Sequence, residues 1–98
     1  MKKLSVVIIT WNSERYVETC LRSVWMSLEN IEHEIILVDN GSTDGTRSVL
    51  EKYAQQDHVS YFPQTENLGV AKARNIGMQA SCGEYIWLLD IDTEVNPE

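Results

Sequence analysis

Four short apolar runs, separated by three segments of helical period, set the topology this chain can adopt. Residues 4–9 (L-S-V-V-I-I) form an almost unbroken β-branched and apolar stretch, the pattern of a strand buried on both faces. Residues 34–39 (E-I-I-L-V-D) and 85–90 (Y-I-W-L-L-D) repeat it, and residues 59–62 give a weaker version stopped by Pro63. Between the first two runs, Tyr16, Val17, Cys20, Leu21, Val24, Trp25 and Leu28 fall in one helical stripe over residues 15–28, with Asn12 or Ser13 placed to cap it. A second helix is expected over 46–56, with Val49, Leu50 and Tyr53 inward and Thr43 or Asp44 near its start. A third is expected over 70–81, its inner face made of Ala71, Ala73, Ile76, Gly77 and Ala80, with Cys82-Gly83 as the stop. The order β-α-β-α-β-α-β predicts a Rossmann-like α/β domain: parallel strands with helices on both faces. Ligands of such sheets bind outside the carboxyl ends of the strands, where strand order reverses.

Charge and cysteine content narrow the function. Fifteen acidic against eight basic residues give a net charge of -7. That argues against nucleic acid as a partner, because binding phosphate backbones needs a basic face. Cys20 and Cys82, with no CxxC, make neither a disulfide framework nor a zinc motif, and a reducing cytoplasmic location is expected. Lys2 and Lys3 before residues 4–9 imitate a signal peptide, but the apolar run stops too soon and lacks a small-residue cleavage site. The chain halts eight residues past the fourth run, which reads as a truncated domain.

The strand ends carry the chemistry. The first run leads into Thr10-Trp11-Asn12 without glycine, so the dinucleotide fingerprint GxGxxG is missing there, and GxxxxGK[ST] is missing too. The second leads into residues 39–46 (D-N-G-S-T-D-G-T), a loop running into a helix. The fourth ends Asp90-Ile91-Asp92, two carboxylates at i and i+2 that can project to one side. Asp39, Asp90 and Asp92 thus gather at one sheet edge, where a divalent cation or a hydrogen-bonding ligand would relieve their repulsion. Response-regulator folds also collect acids there, but want an acidic pair where Thr10-Trp11-Asn12 stands. His33 and His58 read as exposed loop residues, and Cys20 as core.

Four segments in register then resemble the N-terminal half of the family 2 glycosyltransferases, enzymes of the GT-A fold. Residues 6–12 (V-V-I-I-T-W-N) resemble the family's first strand and T-[YW]-N turn. Residues 38–46 are similar to its V-D-D-G-S-T-D-G-T loop. Residues 67–77 (N-L-G-V-A-K-A-R-N-I-G) look like its N-x-G-x-x-x-A-R-N-x-G segment, and residues 90–92 look like its DXD motif.

The resemblance implies that residues 1–98 are the half of a glycosyltransferase that binds a nucleotide-diphosphate sugar, linked to UDP or dTDP. Trp11, flanked by Thr10 and Asn12, would wall the base pocket by stacking. Asp39 would accept the N3–H of uracil or thymine, and Arg74 would lie near base or diphosphate and balance Asp39. Asp90 would hold the ribose, and Asp92 would bind Mn²⁺ or Mg²⁺ at the diphosphate. Transfer would be inverting, to a carbohydrate or lipid-linked acceptor, with the general base beyond residue 98. One departure stands out: the second Asp of D-D-G-S is Asn40 here. With the T-W-N turn it resembles a deoxysugar-transferase branch, whose Asn-Pro-Asp sequence this chain replaces by Asp90-Ile91-Asp92. A non-catalytic sugar-nucleotide-binding module and a sugar nucleotidyltransferase are the competing readings. Self-association through an uncovered sheet edge is also expected.

Overall fold

A computed structural model describes residues 3–92, with only the backbone of Asp92. It contains β1 (Leu4–Trp11), α1 (Val17–Ser27), β2 (His33–Asp39), α2 (Thr46–Tyr53), β3 (Val59–Pro63), α3 (Val70–Ala80) and β4 (Tyr85–Asp92). The four strands form one parallel sheet in the order β3-β2-β1-β4. The α/β arrangement matches the alternation of periods in the sequence.

β1 lies inside the sheet, and Val6, Val7 and Ile8 on it are fully buried. Successive side chains of a strand point to opposite faces, so it feeds two cores. Val6 and Ile8 join Ile35 and Leu37 beneath α1 and α2, which contribute Val17, Leu21, Val24 and Leu50. Val7 and Ile9 join Ile36 and Val38 beneath α3, which contributes Ala73 and, partly buried, Ile76 and Ala80. Each fully buried aliphatic chain stabilises the fold by about 1.5–3 kcal/mol.

Small residues bring α3 close. A Cβ on Gly77 would lie 2.2 Å from Val7 Cγ1. Ala71 departs from the expected inner face and is exposed, because Ala73, Ile76, Gly77 and Ala80 already complete the stripe. Nor does glycine end α3 in a left-handed turn: the chain leaves through an extended Ser81, with ψ 145. Gly83 serves a close approach instead, since a Cβ there would lie 2.7 Å from Ser5 N. Its N–H donates to Ser5 Oγ at 2.7 Å, and Ser5 Oγ donates to Glu34 Oε2 at 2.6 Å, closing the amino-terminal edge of the sheet.

Neither Asn12 nor Ser13 caps α1, whose N-cap position is Tyr16. Their side chains are used elsewhere, as described below. At α2 the expected acid does act, for Asp44 Oδ1 accepts from Thr46 N at 3.0 Å and Thr46 Oγ1 at 2.6 Å. His33 and His58 are not exposed loop residues; both are half-buried, and their rings meet edge to face at 4.7 Å. Cys20 packs partly buried against the first core.

Candidate functional site

Strand order reverses between β1 and β4. The chain passes from β1 to β2 on one side of β1, and β4 returns to its other side. A crevice opens between the carboxyl ends of those two strands, as doubly wound sheets dictate. The structure has a cavity of about 130 Å³ there, lined by Ile9, Thr10, Trp11, Asn40, Asn67, Gly69, Val70, Asp90 and Ile91.

Thr10, Trp11 and Asp90 therefore reach the cleft expected of them. Parallel pairing sets Ile9 opposite Asp90 and Trp11 opposite Asp92, so the aromatic and the acids come from neighbouring strand ends. Arg74 on α3 donates to Asp90 Oδ2 at 2.6 Å, and both groups are partly exposed at the rim. The guanidinium thus balances Asp90, not Asp39. α3 packs across β1 and β2 on the face opposite to α1, and the long Arg74 side chain reaches from it to the end of β4. The side chain of Asp92 lies outside the described residues, so its expected role as metal ligand has no geometry here.

Asp39 is held inside the fold. It has no solvent exposure and does not line the cavity. Its Oδ1 accepts from Thr10 Oγ1 at 2.8 Å and Ser42 Oγ at 2.6 Å, while Oδ2 accepts from Ser42 N at 2.9 Å. Arg47 Nε lies 3.8 Å from Oδ2 and offsets the buried charge. Asp39 ties β1 to the loop that follows β2, and its acceptor capacity is largely spent on that loop. The polar group that the loop presents to the cavity is Asn40. Strand alternation at the exit of β2, which puts consecutive residues on opposite sides, was the signal available for this.

Asn12 is a loop fastener too. It has a left-handed φ of 45, which asparagine tolerates better than most residues. Its N–H donates to Ser42 Oγ and its Oδ1 accepts from Thr43 N, each at 2.8 Å. The buried Ser13 Oγ, 2.8 Å from the Ile91 carbonyl and 2.9 Å from that of Trp11, clips the ends of β1 and β4 together. Asn12 also borders a separate polar recess of about 330 Å³ with Glu14, Arg15, Tyr16 and Asp44. Burial raises the Asp44 carboxyl, but hydrogen bonds from Thr46 and Glu14 outweigh it and hold the group below its ordinary 3.8.

Among the described residues no three His, Cys, Asp or Glu side chains cluster as a ready metal site. Among the described residues lining the cleft, Asp90 carries the carboxylate. Mg²⁺-type sites use one or two carboxylates together with substrate phosphates, so an oxygen set built on Asp90 fits such an ion in kind.

A parallel α/β sheet with its crevice at the switch point, an aromatic wall and an ion pair at the rim defines a Rossmann-like ligand-binding fold. The chain belongs to glycosyl transferase family 2, whose profile matches residues 5–98. It is similar to the glycosyltransferase GlyA of Streptococcus pneumoniae, with 33% identity over 92% of this chain and 13% of that protein. It is equally similar, at 33%, to the poly(ribitol-phosphate) β-N-acetylglucosaminyltransferase TarS of Staphylococcus aureus, over 100% of this chain and 18% of TarS. The solved structure of TarS 1–349 in complex with UDP-GlcNAc superposes with a TM-score of 0.78 at 32% identity, covering 90% of this chain and 26% of that one. A mannosyltransferase from Pyrobaculum calidifontis in complex with GDP-Man and Mn²⁺ superposes with a TM-score of 0.79 at 25% identity, covering 91% and 27%. The GT-A fold expected from the four segments is thereby shown. The chain spans about a quarter or less of the length of these relatives.

Proposed function

We propose that residues 1–98 form the donor-binding half of a glycosyltransferase that moves a sugar from a UDP- or dTDP-linked donor to a carbohydrate or lipid-linked acceptor in glycan synthesis. One observation carries this reading: a cavity of about 130 Å³ at the switch point, walled by Trp11 and bordered by Asp90. Solved relatives hold nucleotide sugars, UDP-GlcNAc in one and GDP-Man in another.

In this reading Trp11 stacks on the base and Thr10 closes the pocket behind it. Asp90 accepts from the ribose hydroxyls, and Arg74, now anchored on Asp90, faces the diphosphate. Asp39, braced by Thr10 and Ser42 at the exit of β2, accepts from the N3–H of the base. Mn²⁺ or Mg²⁺, held by Asp92 with the diphosphate oxygens, would stabilise the departing nucleoside diphosphate. Transfer is inverting, with the base that deprotonates the acceptor outside residues 1–98. The location is cytoplasmic; no described helix is long and apolar enough to cross a membrane.

Calorimetric titration with UDP, dTDP and their sugar derivatives, with and without Mn²⁺, tests the reading. Binding strengthened by metal in the wild type, and much less so in Asp92→Asn, is expected. Absence of nucleotide binding under both conditions would overturn it.

A further inference from the structure

Two serines bracket β1, and the hydroxyl of each reaches toward β4. At the start of the strand, Ser5 Oγ accepts from Gly83 N at 2.7 Å and donates to Glu34 Oε2 at 2.6 Å. Past its end, beyond the left-handed turn at Asn12, stands Ser13, 1% exposed. Every polar atom of Ser13 is bound. Its N–H donates to Thr46 Oγ1 at 2.8 Å, and its carbonyl accepts from Tyr16 N and Val17 N, each at 2.8 Å. Its Oγ shares one proton between the carbonyls of Ile91, at 2.8 Å, and Trp11, at 2.9 Å. The backbone bonds fix Ser13 against the starts of α1 and α2, so the hydroxyl holds Ile91 from a firm anchor. Ile91 stands between Asp90 and Asp92 in the chain and lines the cavity.

We infer that Ser13 is a positioning residue for the metal-binding acids: through the Ile91 carbonyl it sets where Asp90 and Asp92 stand. This rests on the reading of the end of β4 as the metal-binding part of the donor site. β4 needs such a hold more than β1 does. β1 has a strand on each flank, and its end is tied toward β2 by Thr10, whose Oγ1 donates to Asp39 at 2.8 Å and whose carbonyl accepts from Asn40 N at 2.9 Å. β4 has β1 as its one neighbour among the described strands, and their ladder ends with Trp11 opposite Asp92. Ser13 adds a buried bond at the last residues of that ladder. Groups that orient a metal's ligands without touching the ion govern its affinity, by about 10–100-fold when removed. Without the hydroxyl the end of β4 is free to drift from β1, and the acids lose the placement a cation needs. The end of β1, with Trp11, stays tied to β2.

The test is calorimetry of UDP with and without Mn²⁺ on the wild-type chain, Ser13→Ala and Ser5→Ala, beside urea denaturation. In Ser13→Ala, the gain in UDP affinity that Mn²⁺ confers should fall about tenfold, with metal-free affinity close to that of the wild type. Ser5→Ala, which removes the hydroxyl bridge at the far end of β1, should lower the urea midpoint and keep the full gain. Should Ser13→Ala fail to fold, Ser13→Cys, which fills the site with a weaker donor, carries the same expectation. A metal gain left intact in the Ser13 variant, metal-free binding reduced as much as metal-assisted binding, or an equal loss of the gain in Ser5→Ala would each overturn the inference while leaving the donor site standing. A wild type that binds UDP with no gain from Mn²⁺ would overturn the metal reading, and this inference with it. One that binds no nucleotide under either condition would overturn the donor site itself.

Discussion

Arg74 on α3 and Asp90 at the end of β4 meet at 2.6 Å, joining the helix on one face of the sheet to the rim of the crevice. Exposed ion pairs contribute little to stability, about 0–1 kcal/mol. Arg74→Gln is thus expected to leave the denaturation midpoint nearly unchanged. It should weaken binding of a nucleoside diphosphate by about ten- to a hundredfold, since a charge-assisted contact is worth on the order of 1.5–3 kcal/mol. Calorimetry beside urea denaturation checks both halves; a large loss of stability with intact binding would make Arg74 structural only.

Asp39 should weigh on stability as well. Asp39→Ala strips partners from Thr10, Ser42 and Arg47 and should lower stability by on the order of 3 kcal/mol. Any folded fraction should lose much of its choice between UDP and CDP. Calorimetry beside urea denaturation checks both; a preference for UDP that survives the change would leave Asp39 a brace for the loop alone.

Two glycines with nearly equal φ predict unequal costs. Gly41, at φ 83, would place a Cβ 2.4 Å from the Glu66 carbonyl carbon, whereas Gly69, at φ 89, has nothing within 4 Å of that position. Gly69→Ala meets no neighbour, but at φ 89 and ψ 157 it holds a conformation essentially confined to glycine, and should cost about 1–3 kcal/mol. Gly41→Ala adds a backbone collision and should cost about 3 kcal/mol or more. Equal urea midpoints for the two variants would contradict this.

Gly77 and Val7 form a coupled pair. Gly77→Ala forces α3 off β1 and should cost about 1–3 kcal/mol. Removing Val7 Cγ1, the atom 2.2 Å from the added methyl, should recover part of that loss. In a double-mutant cycle, Val7→Ala with Gly77→Ala should therefore be less destabilising than the two single changes summed. Strict additivity would show that the helix shifts freely.

Acid should act through Asp44. Its carboxyl titrates below 3.8 in the folded chain, so the stability it contributes is full above the unfolded value of about 3.9 and is lost as pH falls through the lower, folded one. Urea midpoints measured from pH 7 to pH 2.5 should drop less steeply below about pH 4 in Asp44→Asn than in the wild type. Parallel curves would remove Asp44 from the acid response.

The strands and helices were legible because apolar period reports burial, and here burial on both faces of β1 and β2 is nearly complete. The crevice was legible as well, since alternation of period fixes a parallel sheet and its ligand edge. What the period does not encode is the use of a polar side chain at a strand exit. Ser13 stands where a helix cap belongs, yet it clips β1 to β4, a contact between residues 78 positions apart. Asp39 and Asn40 are adjacent, both polar, and stand at the exit of the same strand. Only the side of the sheet each faces decides which one braces the loop and which one meets the cavity. Arg74 likewise carried its charge plainly, while its partner depended on where its long side chain reaches from α3.

β4 is an edge strand with Tyr85, Ile86, Trp87 and Leu88 exposed by 63%, 42%, 39% and 38%. That apolar edge has the character of one that pairs with further chain or with a second copy. Concentration-dependent mass in sedimentation, reduced by Leu88→Lys, is expected of the 98-residue chain. A monomer at every concentration would count against self-association.

The register that sets Leu4 beside both His33 and Tyr85 has a consequence for how a nascent chain matures. β1 is made first, but one of its flanks has no strand to pair with until β4 is made. At about 5–20 residues per second, that interval lasts roughly 4–16 s. Through it, β1 keeps unpaired backbone groups and apolar side chains within reach of neighbouring polypeptides. The order of synthesis therefore makes this stretch, buried at the heart of the finished sheet, the segment most in need of a chaperone while the ribosome is still at work.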